Sequence, residues 1–456
     1  PGAQLRADAL LNGHGGLVVV WGNHTTRAYG SFSARGGALG GDGGLVETSG
    51  GWIDVRPARV DTSAPAGRNG QWLVDPDDLL ITSDTSDRGI SAGPDFTTTS
   101  DTAELSTFTI SQALNANNNV TITTGDSLTS EGSGDILLSS AFLNVAPTQP
   151  VSLTIRATRN LVMESSSIQT LNAPLTVNLL AGGLGGAVGD DGNNVGGAIK
   201  LSASSIATAG GNIKLGGPSL ACGPVFACDA GNVGAVASAG TSLFNGIEIA
   251  GSNLRAGTGN IQIDGHSLVG FTDTAGVRIS GGSQLEGSRI AIHGTVDAVL
   301  FSTAAERYGV IVSDSGIAAT EQLQIKGSVA SVQSQGNESA STGVDIGRNS
   351  LLRAGVASNN TPPDGSSASL VIDGTVTESG LANGTLLRTA VRIGDNGTRL
   401  VALGGASMAI SGTVDAPGIN YGILLGTGAV ELDASAGGSL SLVSGNDMFV
   451  SGVEDP

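Results

Sequence analysis

Residues 276–296 read GVRISGGSQLEGSRIAIHGTV, and two short phrases in this stretch recur through the second half of the chain. Each phrase alternates branched apolar residues with polar or small ones, which is the period of a β-strand. Gly, Ser, Asn or Asp interrupts the strands, and these residues supply the left-handed backbone conformations that tight corners need. The first phrase occurs as GIEIAGSNL at 246, GVRISGGSQL at 276, GVIVSDSGI at 309, GVDIGRNSLL at 343, AVRIGDNGTRL at 390 and GILLGTGAVEL at 422. The second occurs as IQIDG at 261, IAIHGTV at 290, LQIKGSV at 323, LVIDGTV at 370 and MAISGTV at 408.

The spacing of these phrases predicts a β-solenoid. Successive starts of the first phrase are 30, 33, 34, 47 and 32 residues apart, and a fixed order of strands at such a period is the signature of a repeat architecture. One coil cannot bury its own apolar face, but stacked coils bury a continuous column of Val, Ile and Leu. With about 15 coils stacked at ~4.8 Å, the expected product is an elongated rod on the order of 70 Å long.

Composition and charge exclude several functional classes. The chain has 456 residues, of which 72 are glycine and only 3% aromatic, so a thin core of small aliphatic side chains is expected. Its 21 Lys and Arg against 40 Asp and Glu give a net charge of −19, a field that repels nucleic acid and anionic lipid surfaces. No run of about 18 apolar residues occurs, so membrane insertion is not expected.

The glycine-rich stretch GALGGDGGLVETSGGWIDV, residues 37–55, raises the question of a ligand loop. A phosphate-binding loop needs Lys-Ser or Lys-Thr after its glycines, and this stretch has neither. A calcium-binding nonapeptide would repeat Gly-Gly-x-Gly-x-Asp, which this stretch does not do. We therefore predict that these glycines form corners and close contacts between adjacent coils.

Residues 15–81 carry a family resemblance. The segments GGLVVVWGNHTTRAYGSFSARGG, GGDGGLVETSGGWIDVRPARVDTSAP and GQWLVDPDDLLI follow one another here, and the order Val-Glu-Thr-Ser-Gly then Trp-Leu-Val-Asp-Pro is specific. In this respect the chain resembles the filamentous haemagglutinin-like exoproteins of the two-partner secretion pathway, over residues 15 to about 215. The resemblance implies an all-β, right-handed parallel β-helix, secreted with the help of an outer-membrane transporter. The family's amino-terminal secretion domain is not recognisable, so we expect an interior piece of a longer exoprotein.

Three segments are predicted along the chain. Residues 1–90 form the family-like β-helix segment, 91–245 continue the β-helix with loop insertions, and 246–456 contain the repeats of about 30 residues.

Two candidate sites fall in the middle segment. Cys222 and Cys228 in CGPVFAC favour a small disulfide loop in an oxidising compartment, with two free thiols as the alternative. Asp190, Asp191 and Asn193 in GDDGNNVGG form a weak calcium candidate, but their spacing matches no EF-hand, and a solvated loop is favoured. No other metal site and no cofactor is predicted.

The aromatic residues offer a further candidate. Tyr308 and Tyr421 each immediately precede the first phrase and are candidate ligand-facing residues for glycan stacking, with a purely structural role as the alternative. Trp21, Trp52 and Trp72 lie in the family-like region, where we expect them to fill the core or cover a corner.

The acidic cluster in WLVDPDD brings Asp75, Asp77 and Asp78 together around a proline. Sugar-cleaving carboxylates lie roughly 5–9 Å apart across a groove, whereas acids that are nearly consecutive suit a turn that accepts backbone N–H groups. A structural role is therefore predicted for them.

Together these features predict a non-enzymatic, extracellular segment of a bacterial surface adhesin or stalk. Expected partners are host-cell or matrix glycans and proteins, or further copies of the chain. One alternative is a structural subunit of an extracellular filament or biofilm matrix that assembles end to end. The other is a carbohydrate-active β-helix enzyme, which would need carboxylates converging on one groove.

Overall fold

A computed structural model describes residues 2–56, 58–83, 102–124, 134–182, 197–217, 235–237, 243–268, 273–299, 306–333, 340–356, 368–380, 387–417, 419–426, 429–434 and 438–450. The chain divides into two compact units. Unit 1 comprises residues 1–184 and 203–213, and unit 2 comprises residues 185–202 and 214–456. The three predicted segments, 1–90, 91–245 and 246–456, stay a prediction.

The described residues form 36 strands and one helix. The first strands are β1 (Gln4–Arg6), β2 (Leu17–Arg27), β3 (Ser31–Ser33), β4 (Leu45–Asp54), β5 (Arg59–Asp61), β6 (Gln71–Asp75), β7 (Asp78–Thr82), β8 (Thr102–Ser106), β9 (Asn119–Thr123), β10 (Ile136–Ser139), β11 (Phe142–Val145) and β12 (Val151–Ala157). They are followed by β13 (Leu161–Glu164), β14 (Ser167–Thr170), β15 (Leu175–Ala181), β16 (Ile199–Ser202), β17 (Ser205–Ala207), β18 (Ile213–Gly216), β19 (Ala235–Ala237), β20 (Ile247–Ala250), β21 (Asn253–Arg255), β22 (Ile261–Ser267), β23 (Thr274–Ser280) and β24 (Gln284–Val299). The last are β25 (Arg307–Ser313), β26 (Gly316–Gln333), β27 (Ser341–Gly347), β28 (Leu351–Ala354), β29 (Ser369–Gly380), β30 (Leu387–Ile393), β31 (Thr398–Ala402), β32 (Ser407–Asp415), β33 (Ile419–Leu425), β34 (Val430–Asp433), β35 (Leu440–Ser444) and β36 (Asp447–Val450).

In unit 1 the strands stack in parallel, and residues at the same register position on successive strands form columns. Strands β2, β4, β6, β9, β12 and β15 pair in this order. One inward column runs through buried apolar residues on all six: Val18, Val46, Trp72, Val120, Leu153 and Val177. Alternation places every second side chain inside, so each coil adds one layer to a continuous apolar core.

Unit 2 repeats this arrangement with greater regularity. The first phrase forms β20, β23, β25, β27, β30 and β33, which pair in parallel in this order. Their central residues form a column with no exposed surface: Ile247, Val277, Val310, Val344, Val391 and Ile423. The second phrase forms a matching column: Ile263, Ile292, Ile325, Ile372 and Ile410. The all-β class and the parallel, solenoid-like stacking predicted from the repeats are confirmed.

One corner of the coils uses the left-handed backbone region repeatedly, as the interrupting residues predict. In unit 1, Ser140 between β10 and β11 and Ser165 between β13 and β14 both have φ of 47°. In unit 2, Asp314 between β25 and β26 has φ of 47°, and Asp395 between β30 and β31 has φ of 67°. These residues turn the chain sharply between sheets because the left-handed region reverses its direction within a few residues.

The glycines near residue 40 are packing and corner positions, as predicted. Gly41 has φ of +115°, a conformation that side chains rarely adopt. A Cβ placed on Gly43 would lie 1.8 Å from the carbonyl oxygen of Thr62 on the next coil. Bulkier residues there would separate the coils.

The described residues include one helix, α1 (Thr107–Asn115), where the sequence had indicated strands and corners. It is capped by Ser106, whose side chain accepts a hydrogen bond from the Phe108 N–H at 3.2 Å. Ile110 and Leu114 are four residues apart and therefore lie on one face, where both are buried. The helix belongs to unit 1 and packs on its strands.

The three tryptophans differ in environment. Trp72 and Trp52 are buried, with 1% and 4% of their surface exposed, which confirms the prediction for both. Trp21 is 67% exposed, so the same prediction is wrong for this residue. Its register partner is Ser49, and its side chain lies on the solvent face of β2.

Candidate functional site

The solvent face of the large sheet in unit 1 carries a strip of polar side chains. Gln71, Asn119 and Ser152 are in register on β6, β9 and β12, and Thr121 and Thr154 form the neighbouring pair. All five are half-buried, because alternation places them opposite the inward apolar column. Amide and hydroxyl groups therefore repeat along the stack at the strand spacing of about 4.8 Å.

A groove of about 960 Å³ lies over this strip. Glycines at the strand starts have no side chains to fill it, and they are held in place by close packing. A Cβ on Gly44 would stand 2.0 Å from the carbonyl oxygen of Gly16. The groove is lined by Gly15, Gly16, Leu17, Asp42, Gly43, Gly44, Leu45, Arg68, Asn69, Gly70, Gln71, Asn119, Thr121, Ser152 and Thr154.

A second concavity of about 650 Å³ adjoins the groove and shares Arg68, Asn69 and Asn119 with it. Its remaining lining is formed by Ser63, Ala64, Pro65, Gly67, Asn117, Thr148, Gln149 and Pro150. Both concavities lie within unit 1, and together we call them the two-lobed groove. An extended ligand could contact both lobes at once across the shared wall.

Arg68 provides the charged group at this shared wall. Its side chain is 90% exposed, and it donates to Asp42 Oδ2 from Nε at 3.1 Å and from Nη2 at 2.7 Å. Its backbone N–H donates to Asp42 Oδ1 at 2.9 Å. These hydrogen bonds hold the pKa of the Asp42 carboxyl below its usual value. A guanidinium carries five N–H donors, so Arg68 can hold Asp42 and still donate to a ligand.

Two asparagines fix the backbone of the groove. Asn119 donates from Nδ2 to the Gly70 carbonyl oxygen at 3.2 Å and accepts from the Ser152 N–H at 2.9 Å, so it ties three coils together. Asn117 accepts from the Thr148 N–H at 2.9 Å. These residues were not among those predicted from the sequence. The signal that could have found them is the run of asparagines directly after the helix.

The predicted ligand-facing tyrosines both lie in unit 2, on β25 and β33. Tyr308 is 9% exposed and donates its hydroxyl hydrogen bond to Glu306, while the Arg278 guanidinium lies 6.0 Å from its ring centroid. Burial, followed by that hydrogen bond, raises the pKa of Tyr308. This environment favours the structural alternative, because the ring is covered and its hydroxyl is engaged.

Tyr421 occupies the equivalent register position further along unit 2. It is half-buried, and its ring packs against Phe449 with a centroid distance of 5.9 Å and an interplanar angle of 55°. The two tyrosines are therefore equivalent positions of the repeat, and neither lines the two-lobed groove.

The remaining candidate residues lie outside the described ranges. These are Cys222 and Cys228 of the predicted disulfide loop, and Asp190, Asp191 and Asn193 of the calcium candidate. Within the described ranges, no three His, Cys, Asp or Glu side chains come together as a metal site.

The WLVDPDD acids have structural partners. Asp75 accepts a hydrogen bond from the Thr123 hydroxyl at 2.7 Å on the next coil. Asp78 accepts from the Asp135 N–H at 3.0 Å. The two carboxylates thus brace neighbouring coils, as the prediction of a structural role requires.

Neither a family model nor a curated protein matches this chain. Among the described residues, no helix has the length and apolar character needed to cross a membrane.

Proposed function

We propose that this chain is a non-enzymatic segment of a secreted bacterial adhesin or stalk, wound as a right-handed parallel β-helix. Its two-lobed groove would bind extended glycan chains of host cells or of an extracellular matrix. The observation that carries the proposal is the strip of amide and hydroxyl groups in register along the floor of that groove. Handedness, cell-surface localisation and export through an outer-membrane transporter rest on the family resemblance.

The chemistry of the lining favours a neutral, hydroxyl-rich polymer. Gln71, Asn119, Thr121, Ser152 and Thr154 offer both donors and acceptors, repeated at about the spacing of the strands. The net charge of −19 disfavours a highly anionic ligand, although Arg68 can donate hydrogen bonds to one acceptor group of the ligand.

The acidic groups of the groove favour binding over hydrolysis. Glycoside hydrolysis ordinarily uses two carboxyl groups that flank the scissile bond. Among the groove's described lining residues, Asp42 is the one carboxylate, and it is held by Arg68.

Replacing Gln71 and Thr121 together by alanine is expected to weaken glycan binding about tenfold. Each lost hydrogen bond contributes about 0.5–1.5 kcal/mol, and about 1.4 kcal/mol corresponds to a factor of ten. The full chain is first applied to an array of neutral and acidic oligosaccharides. Calorimetry with the best ligand then compares the native and variant proteins.

Gln169→Ala is the matched control, because Gln169 lies on the solvent face of β14, in unit 1 but outside the groove. It should bind as the native protein does, and all variants should keep the native unfolding temperature. An array without any binding, or equal affinity of the double variant, would contradict the proposed glycan site.

A second candidate function is assembly into filaments, favoured by exposed apolar side chains on strands β2 and β36. On β2 of unit 1, Leu17 and Trp21 are 61% and 67% exposed. On β36 of unit 2, Phe449 and Val450 are 48% and 60% exposed. Exposed apolar side chains that lie together on a strand offer a surface on which a second copy of the chain can bind.

If the chain assembles in this way, its sedimentation coefficient should rise with protein concentration, and Phe449→Asp should suppress the rise. Charge placed on β36 would have to be desolvated in such an interface, which is unfavourable. A sedimentation coefficient that stays constant over a hundredfold range of concentration would count against filament assembly.

A further inference from the structure

Unit 2 contains a buried polar column at the start of the strands formed by the first phrase. Thr274, Arg307, Ser341, Arg388 and Asn420 occupy one register position on five successive strands. The first four have no exposed surface. Two arginines therefore lie in the interior of the stack, with one strand between them.

Arg388 has a carboxylate partner in the interior. Its Nε donates a hydrogen bond to Glu378 Oε2, and Nη1 donates to the Pro417 carbonyl oxygen at 2.6 Å. Ser341, which lies between the two arginines, donates its hydroxyl hydrogen bond to the other oxygen of Glu378. Glu378 is itself buried, with 5% of its surface exposed. One carboxylate and one guanidinium thus compensate each other.

Arg307 is not compensated in this way. Its side chain has no exposed surface, and none of Nε, Nη1 and Nη2 has a hydrogen-bond acceptor in the part of the chain that the structure describes. Burial lowers the pKa of Arg307, while the nearby Glu378 raises it and Arg388 lowers it further. A guanidinium nevertheless stays protonated in proteins, so the charge cannot be relieved by loss of a proton. A buried, uncompensated charge is strongly unfavourable.

We propose that the guanidinium of Arg307 holds a small monovalent anion, such as chloride or bromide, in the interior of unit 2. Two arginines and one glutamate give this cluster a formal charge of +1 (2 − 1), which one monovalent anion neutralises. The three nitrogens of the Arg307 guanidinium can all donate to a halide, because none of them has another acceptor among the described residues. Phosphate would bring about two charges and several further oxygens into a site whose column neighbours are fully buried. The inference does not depend on the proposed glycan binding, which is located in unit 1.

Thermal unfolding of the full chain tests the proposal, with sodium bromide, sodium chloride or sodium gluconate at equal ionic strength and pH. A ligand that binds the folded state raises the unfolding midpoint with its concentration. Hydrogen exchange of peptides from β25 and β27 reports the unfolding midpoint of unit 2. We expect this midpoint to rise with halide concentration and not with gluconate concentration.

Arg307→Met should abolish this halide dependence and should be more stable than the native chain in gluconate, because the unpaired charge is gone. The matched control is Arg399→Met, which removes an arginine that is 51% exposed and paired with Glu431 in the same unit. That variant should keep the halide dependence.

Diffraction from crystals of the native chain grown in bromide gives a test that does not depend on how the variant folds. An anomalous peak within hydrogen-bonding distance of the Arg307 guanidinium is expected. An ordered water in that place, or equal native midpoints in bromide and gluconate, would overturn the proposal.

Discussion

Replacing Gly327 by alanine is expected to destabilise unit 2 by about 3 kcal/mol or more, at the upper end of the cost of overpacking. A Cβ on Gly327 would lie 1.9 Å from the carbonyl oxygen of Gly343 and 2.6 Å from its carbonyl carbon. Both are backbone atoms of β27, which pairs in register with β25 and β30. The clash cannot be relieved by a side-chain rotation, so one of the two strands must move and lose ladder hydrogen bonds.

Urea unfolding followed by far-UV circular dichroism measures this loss, with hydrogen exchange of peptides from β26 and β27 to assign it to unit 2. Tryptophan fluorescence is unsuitable, because all three tryptophans lie in unit 1. Gly394→Ala is the matched control. A Cβ at Gly394 would meet its nearest neighbour, Gly426 Cα, at 3.5 Å, which is an ordinary contact. Equal stability of the Gly327→Ala and Gly394→Ala proteins would show that close packing of Gly327 on Gly343 does not limit the separation of the strands.

The same contact explains why the fold could be predicted from the repeats. In the second phrase, Gly294 and Gly327 occupy one column, and each packs against the opening glycine of the next first phrase, Gly309 and Gly343. The glycine of the second phrase and the opening glycine of the first phrase recur at fixed offsets, so the period of the stack can be read from the sequence. The close contact between the two glycines cannot be read from it, because that contact depends on how the chain closes each coil.

The candidate groove could not be predicted in the same way. Arg68 and Asn119 are about 50 residues apart in the sequence, yet both line the groove because the coils between them stack. No local sequence pattern encodes that proximity. The helix α1 is only nine residues long and lies among strand-like segments, so its period is weak evidence. Trp21 lies in the alternating pattern of β2, which also contains buried residues. Its exposure depends on which face of the strand the neighbouring coil covers.

Arg307 shows a further limit of sequence reasoning. It stands just before the first phrase, where charged residues are usually solvated, and the sequence predicts its neighbour Tyr308 as a ligand-facing candidate. In the structure both residues are buried, because strands β23, β25 and β27 are in register from this position onward. Burial of a position before a repeated phrase becomes visible only when the register of three coils is known.

Replacing Trp72 by alanine is expected to destabilise unit 1 by about 3–5 kcal/mol, the usual cost of truncating a buried aromatic residue. Trp72 is 1% exposed and stands in the inward column between Val46 and Val120. Its indole N–H donates to the Thr48 hydroxyl at 3.2 Å, so truncation also removes a buried hydrogen bond. Hydrogen exchange of peptides from β6 and β9 measures the local loss, and Trp72→Phe should show a smaller one because the phenyl ring fills part of the cavity.

Trp21→Ala is the matched control for this experiment, because it makes the same chemical change on β2 of the same unit. Trp21 is 67% exposed, so little apolar surface returns to water, and a change within about 0.5 kcal/mol is expected. The pair separates burial in the column from any general effect of removing an indole ring. If Trp72→Ala costs no more than Trp21→Ala, the inward column does not carry the stability of unit 1. The two-lobed groove would then lack the rigid floor on which glycan binding through Gln71 and Thr121 depends, since Gln71 adjoins Trp72 in β6.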